Sequence, residues 1–258
     1  RTRERYRSMY SGVFYERYIL GRWVMAEGLI YDMMDTEKNV FKPGEEPCWL
    51  RSVAVRWIGV DYGTVNDTVF LEAYDDGETL WITSEYRWAS RQEHRQKTDE
   101  EYADNFMEFM GKNPCAVIVD PSAASFIEAI RRRGVYVMEA ENDVLDGIRR
   151  VSTLMSKRQL KICSICTGLL DELGTYRWDD KAALMGVEKP IKQQDHGPDA
   201  LRYLCNTAVP HWRYGEKKSP DVYLGTELIY LHSLLNCFHN KSVQAFPGGI
   251  CSCLNFLI

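Results

Sequence analysis

The stretch that decides the fold is WIGVDYGT at residues 57–64, which ends an apolar run that leads in from Arg51. Two more β-rich runs follow at 68–74 and 80–86, separated by the turn residues DDGE at 75–78. Turn residues between two β-rich runs favour antiparallel pairing. The sequence therefore predicts a meander of three antiparallel strands at the start of a sheet.

Beyond the meander, helix and strand patterns alternate. A capping box at Thr98–Glu101 predicts a helix that continues to about residue 110. Further strands are predicted at 115–119, 135–138 and 160–163, and further helices at 122–133, 144–157, 168–178 and 195–206. This order predicts an α/β fold, an RNase H-like mixed sheet with three antiparallel leading strands and then alternating helices and strands.

The remaining sequence predicts three parts. Residues 1–50 are interpreted as a lead-in or linker segment, 51–210 as the α/β domain, and 211–258 as a C-terminal tail without clear periodicity or assigned role. No run of about 18 apolar residues and no N-terminal apolar signal segment appears, so we expect an intracellular protein that does not span a membrane. Among the eight cysteines, Cys163 and Cys166 form a lone CxxC, too few ligands for a structural zinc site, and reduced cysteines are expected.

The net charge of −5 argues at first against a nucleic-acid partner, but local patches matter more than the total. Basic residues cluster at 131–133, 149–150 and 157–158. Such clusters are often solvated helix faces. They also provide candidates for contacting a phosphate backbone.

Aspartates follow two of the predicted strands directly. Asp61 ends the apolar run at 57–60, and Asp120 follows the short, fully apolar strand in VIVDPS at 117–122. Strand ends of this kind open on the crevice where α/β sheets bind ligands. Each aspartate alone could be a helix cap or a turn former; two on neighbouring strands favour a site.

A third motif, DHGPDALRY at 195–203, places turn residues immediately before a helix. Pro198 suits the first helical position, where its missing N–H costs nothing. Asp199 then lies in the first turn, where the positive end of the helix stabilises a carboxylate. His196 precedes it by three residues, so both side chains can project from one side of the helix start. A capping arrangement remains the alternative.

Three carboxylates placed together with a histidine at one sheet edge repel one another unless a cation compensates their negative charge. Hard oxygen ligands suit Mg²⁺ or Mn²⁺. Two such ions, about 3.5–4 Å apart, activate a water and stabilise the leaving oxygen of a phosphodiester. The sequence predicts a two-metal phosphodiester hydrolase.

Over roughly residues 10–207 the chain resembles the C-terminal nuclease domain of the large terminase subunit of tailed bacteriophages or prophages. The resemblance rests on the motifs at 57–64, 118–122 and 195–203, and on RWVMAEGLIY at 22–31, which is similar to the family's segment between motor and nuclease. No G-x-x-x-x-G-K-[ST] motif occurs in the sequence, so an ATPase motor is not expected within this chain.

The resemblance implies a metal-dependent endonuclease that cuts double-stranded viral DNA with little sequence preference during genome packaging. It implies Asp61, Asp120 and Asp199 as ligands of two Mg²⁺ or Mn²⁺ ions, with Asp61 bridging them, and His196 as a nearby metal or phosphate contact. The implied partners are a small terminase subunit, a portal protein and a separate ATPase motor, in the cytoplasm of a bacterial host.

Two further groups of residues belong to this prediction. Arg131, Arg132 and Arg149 are candidates for guiding the DNA backbone. Asp67 is either an accessory metal ligand or a solvated turn residue.

Three rival functions remain open from the sequence. A transposase, integrase or Holliday-junction resolvase of the same fold uses the same carboxylate chemistry. An inactive prophage remnant could act as a docking module. The motif GVDYGT at 59–64 also resembles the first phosphate loop of sugar-kinase and actin-like ATPases, but no second, Asp-x-Gly-Gly phosphate loop follows.

Overall fold

A computed structural model describes residues 10, 12–22, 24 and 26–213. The tail predicted at 211–258 lies outside the described residues except for its first three. None of the described helices is both long and apolar enough to cross a membrane.

The helices and strands alternate along the chain much as the sequence patterns predict. The helices are α1 (Gly12–Tyr18), α2 (Thr36–Asn39), α3 (Leu50–Val53), α4 (Asp99–Met110), α5 (Ala124–Arg131), α6 (Val144–Ser156), α7 (Thr167–Thr175), α8 (Asp180–Leu184) and α9 (His196–Arg213). The strands are β1 (Val40–Phe41), β2 (Val55–Asp61), β3 (Asp67–Asp75), β4 (Leu80–Ala89), β5 (Ala116–Val119), β6 (Val137–Glu139) and β7 (Leu160–Cys163).

The seven strands form one mixed sheet in the order β1-β7-β4-β3-β2-β5-β6. β2, β3 and β4 pair antiparallel as the predicted meander. β5 and β6 extend the sheet in parallel beside β2, and β7 and β1 extend it in parallel beside β4. The predicted RNase H-like α/β fold is confirmed.

The two faces of the sheet are covered by different helices. Ile58 and Val60 point to one face and join a buried cluster with Tyr102 and Phe106 of α4 and Phe126 of α5. Side chains alternate along a strand, so Gly59, between Ile58 and Val60, faces the opposite side of the sheet. Helix α9 packs on that side. Strand β2 thus lies between two layers of helices.

Part of the segment interpreted as a lead-in belongs to this sheet. Val40 and Phe41 pair with Ile162 and Cys163 of β7, so β1 forms one edge. Further back, the Ile30 N–H donates to the Tyr176 carbonyl at 2.9 Å. The described residues before 51 therefore pack on the α/β domain.

The predicted capping box of α4 is present. The Thr98 side chain accepts from the Glu101 N–H at 3.2 Å, and the Glu101 carboxylate accepts from the Thr98 N–H at 2.9 Å. The helix predicted at 168–178 ends earlier than expected: α7 ends at Thr175, Tyr176 is extended, and Arg177 and Trp178 form β-bridges. The helix predicted to end at 206 continues to Arg213.

Candidate functional site

Sheet register brings two of the three predicted aspartates together. Val60 of β2 and Val119 of β5 are partners across a parallel pair, so Asp61 and Asp120 leave neighbouring strands at the same level. Both residues are only partly buried, at the edge of a sheet whose interior is apolar. This is the crevice position expected of a ligand site in an α/β sheet.

A glycine lets α9 approach the strand that carries Asp61. A Cβ atom at Gly59 would lie 2.4 Å from Leu204 Cγ and 2.9 Å from the Ala200 carbonyl oxygen. Real side chains do not come so close, so only glycine permits this packing. Asp199, which precedes Ala200, is thereby held in the first turn of a helix that lies directly on β2.

His196 connects the start of α9 to Asp61. Its Nδ1 lies 2.8 Å from Asp61 Oδ2. Burial opposes protonation of the imidazole, but the hydrogen bond and charge of Asp61 raise the pKa of His196 above its ordinary value. Burial raises the pKa of Asp61, and the bond to His196 only partly offsets that effect.

Asp120 has a more polar environment. Its Oδ1 accepts from the Ser122 N–H at 2.8 Å, and its Oδ2 from Asn142 Nδ2 at 3.3 Å. Burial alone would raise the pKa of Asp120, but these hydrogen bonds lower it. Asp120 is therefore a stable carboxylate, and the cap-like bond to Ser122 is compatible with its predicted role.

The charges of all three aspartates affect the pKa of Tyr203. Burial raises the pKa of its hydroxyl far above the usual value, and the charges of Asp61, Asp199 and Asp120 raise it further. The three predicted carboxylates thus share one environment around this tyrosine.

Asp199 is buried between two cations. Its Oδ1 accepts from Arg202 Nη2 at 3.0 Å, and its Oδ2 from Lys192 Nζ at 3.0 Å. Lys192 Nζ also lies 3.1 Å from Asp195 Oδ2. The ammonium group of the mostly exposed Lys192 side chain thus lies between the two carboxylates at the start of α9.

The donor chemistry of the site fits a divalent cation, since carboxylate oxygens are the ligands that Mg²⁺ and Mn²⁺ prefer. In the part of the chain that the structure describes, however, no three His, Cys, Asp or Glu side chains are arranged to hold an ion. The described contacts give the physical reason, because His196 and Lys192 take up carboxylate oxygens of Asp61 and Asp199. Ion binding to Asp199 requires Lys192 to leave Oδ2, whereas Asp61 can bind an ion through Oδ1 while His196 stays on Oδ2.

The predicted DNA-guiding arginines are not gathered at this site by any described contact. Arg132 lies 3.7 Å from Glu100 and 3.5 Å from Glu128, and Arg149 lies 2.7 Å from Asp146. Arg131 is exposed at the end of α5. Their proposed role stays a prediction.

Asp67 is not a solvated turn residue. It begins β3, and its Oδ2 lies 3.1 Å from Arg87 Nη1 in a partly buried ion pair. The alternative role, as an accessory metal ligand, stays a prediction.

Several residues of the site were not singled out from the sequence. Arg202 and Tyr203 stand three and four residues after Asp199, and this helical spacing puts all three on one face, so the signal was present. Lys192 and Asn142 come from loops, and no spacing rule connects them with Asp199 or Asp120.

Solved structures of phage terminases are similar to this chain. The large terminase of a thermophilic bacteriophage, in complex with ADP, is 44% identical over 80% of this chain and 51% of that chain, with a TM-score of 0.74. The nuclease domain of the P22 large terminase is 16% identical over 72% and 94% of the two chains, with a TM-score of 0.57. The large terminase nuclease of the thermophilic phage G20c, with bound cobalt, is 16% identical over 70% and 97%, with a TM-score of 0.54.

The sheet topology and these structural similarities define an RNase H-like domain. The described part of this chain is such a domain, and the chain belongs to the terminase large-subunit family. It spans about half the length of the ADP-bound large terminase. No protein-family model and no curated protein matches it.

Proposed function

We propose that the domain is a metal-dependent endonuclease that hydrolyses double-stranded DNA with little sequence preference. The observation that carries the proposal is that Asp61 and Asp120 leave neighbouring parallel strands at the same level, while His196, in the same first helical turn as Asp199, contacts Asp61 at 2.8 Å. The similarity to the ADP-bound large terminase and the likeness in fold to nuclease domains that bind cobalt or magnesium support it.

Two divalent ions, Mg²⁺ or Mn²⁺, supply the positive charge that activates water and stabilises the leaving oxygen when they are bound. In our proposal the carboxylates of Asp61, Asp120 and Asp199 would hold these ions. The Ser122 N–H and the Asn142 side chain hold Asp120 in place. His196 orients Asp61 through Nδ1, or presents a protonated ring to the scissile phosphate.

The wider setting belongs to the same proposal. We place the activity in genome packaging by a phage or prophage, in the cytoplasm of a bacterial host. The partners are double-stranded DNA, a small terminase subunit, a portal protein and an ATPase motor. Arg131, Arg132 and Arg149 are proposed to contact the DNA backbone, in which case replacing them with alanine reduces the salt dependence of DNA binding.

The proposed activity predicts that the purified chain cuts supercoiled plasmid DNA with Mn²⁺ or Mg²⁺ and stops when EDTA is added, because the carboxylates need the ions to activate water. Gel electrophoresis of the plasmid measures the result. Cutting that continues in excess EDTA contradicts the metal-dependent mechanism. A folded chain that leaves plasmid intact with either ion contradicts the proposed activity of the isolated domain.

Lys192 gives a prediction about the ions themselves. Its ammonium group competes with a cation for Asp199 Oδ2, so Lys192→Met should bind Mn²⁺ more tightly. Because exposed ion pairs contribute up to about 1 kcal/mol, we expect up to about a fivefold lower Kd by calorimetry. Lys189→Met is the matched control, since that lysine lies in the same loop and contacts only Asp179, at 3.8 Å, among the described ion pairs. Equal or weaker Mn²⁺ binding in Lys192→Met shows that Lys192 does not compete with the ion.

A further inference from the structure

A cluster of buried and half-buried charges lies behind the start of α9. Arg87 Nη1 lies 2.7 Å from Glu172 Oε1, and Arg87 Nη2 lies 3.0 Å from Glu172 Oε2, which is a two-pronged pair between β4 and α7. The same guanidinium contacts Glu85 at 3.0 Å and Asp67 at 3.1 Å. One arginine thus holds three carboxylates, and Glu172 is almost fully buried.

Glu172 is the member of the cluster that contacts α9. Its Oε2 accepts from the Gly197 N–H at 2.6 Å. Gly197 immediately follows His196, whose ring lies against Asp61. The first N–H groups of a helix have no partner within the helix, so an external carboxylate both satisfies one of them and fixes where the helix begins.

Two glycines make room for this cluster. A Cβ atom at Gly197 would lie 2.8 Å from Glu172 Oε2 and 3.2 Å from Arg87 Nη2. A Cβ atom at Gly168, at the start of α7, would lie 2.5 Å from Arg87 Nε and 2.7 Å from Glu85 Oε1. A side chain at either position would push Arg87 and its carboxylate partners out of these contacts.

We propose that Glu172, held by Arg87, is a positioning residue that fixes the start of α9 and with it the ring of His196 against Asp61. This inference rests on the proposed nuclease function. Arg87 sets the direction of the Glu172 carboxylate, because its planar fork matches both oxygens. The carboxylate then holds the backbone next to His196, which touches the reacting site while Glu172 does not.

The test is Glu172→Gln in the full chain. Glutamine has the same size, but one of its two terminal atoms is an NH₂ donor that faces either Arg87 or the Gly197 N–H, and neither accepts a hydrogen bond. We expect kcat for DNA cleavage to fall about 10- to 100-fold, the usual effect of losing a group that orients a ligand, with KM for DNA unchanged. The control is Asp171→Asn, the exposed neighbour on α7, which should cleave like the wild type.

NMR gives a readout that does not depend on cleavage. The short bond to a carboxylate should place the Gly197 amide proton downfield, and Glu172→Gln should move both this signal and the ring signals of His196, while Asp171→Asn moves neither. If the wild type does not cut DNA, the proposed nuclease function fails, whereas these signals still decide the positioning role.

Unchanged Gly197 and His196 signals in a folded Glu172→Gln overturn the inference, and so does a kcat within twofold of wild type in an active enzyme. If Glu172→Gln does not fold, Arg87→Lys replaces it. That variant keeps the positive charge but loses the two-pronged geometry, and the same shifts and the same loss of kcat are expected.

Discussion

Asp61→Asn should abolish most of the metal-dependent cleavage while leaving the fold intact. In our account this carboxylate would be a ligand of the catalytic ions, and metal charge contributes several kcal/mol to phosphodiester cleavage. A loss of about 3–4 kcal/mol corresponds to a rate about 100- to 1,000-fold lower, since each 1.36 kcal/mol is a factor of ten. The measurement is the initial rate of plasmid cleavage at saturating Mn²⁺.

The same substitution should not lower the free energy of unfolding. Burial raises the pKa of Asp61, so above the pKa of the unfolded chain the ionised carboxylate opposes folding, and a neutral amide removes that cost. Asp180→Asn, at an exposed position in the first turn of α8, is the control for the loss of one negative charge. A rate for Asp61→Asn within about threefold of wild type would remove Asp61 from the catalytic site.

Gly59→Ala should destabilise the domain through a single methyl group. The new Cβ would lie 2.4 Å from Leu204 Cγ and 2.9 Å from the Ala200 carbonyl oxygen, so α9 must move away from β2. Overpacking of this kind costs about 1–3 kcal/mol. For a domain of this size the corresponding fall in Tm is about 2–12 °C, measured by circular dichroism.

The matched control is Gly174→Ala in α7, where a Cβ atom meets nothing within 4 Å. Alanine is a better helix former than glycine, so this variant should be as stable as the wild type or more stable by up to about 1 kcal/mol. We also expect Gly59→Ala to lower cleavage, because the movement of α9 carries Asp199 away from Asp61. A Tm equal to that of wild type contradicts the close packing of α9 on β2.

Much of the fold was predictable because it depends on local patterns. The turn at 75–78 specified the β3–β4 hairpin, and Thr98 with Glu101 specified the start of α4. The edge strand β1 was missed for a physical reason: two residues are too short to show alternation, and their partners in β7 lie more than 120 residues away. Only the tertiary structure creates that pairing.

The site residues that stand directly after a strand or at the start of a helix could be predicted from the sequence. The positions of Asp61 and Asp120 came from the apolar strands before them, and Asp199 from Pro198 and the helix that follows. Lys192 and Glu172 could not be found in this way, because their contacts with Asp199 and Gly197 depend on how loops and helices pack. Sequence patterns indicate which carboxylates are candidates for the site. Tertiary packing decides which cations and backbone N–H groups bind those carboxylates.

The most direct test of the account is the anomalous scattering of Mn²⁺ in crystals of this chain grown or soaked with the ion. We expect an anomalous peak among the carboxylates of Asp61, Asp120 and Asp199, with the ammonium group of Lys192 moved away from Asp199. A fully occupied Mn²⁺ site elsewhere, or none at saturating Mn²⁺ with Lys192 still bound to Asp199, would contradict the claim that these three aspartates hold the catalytic metal.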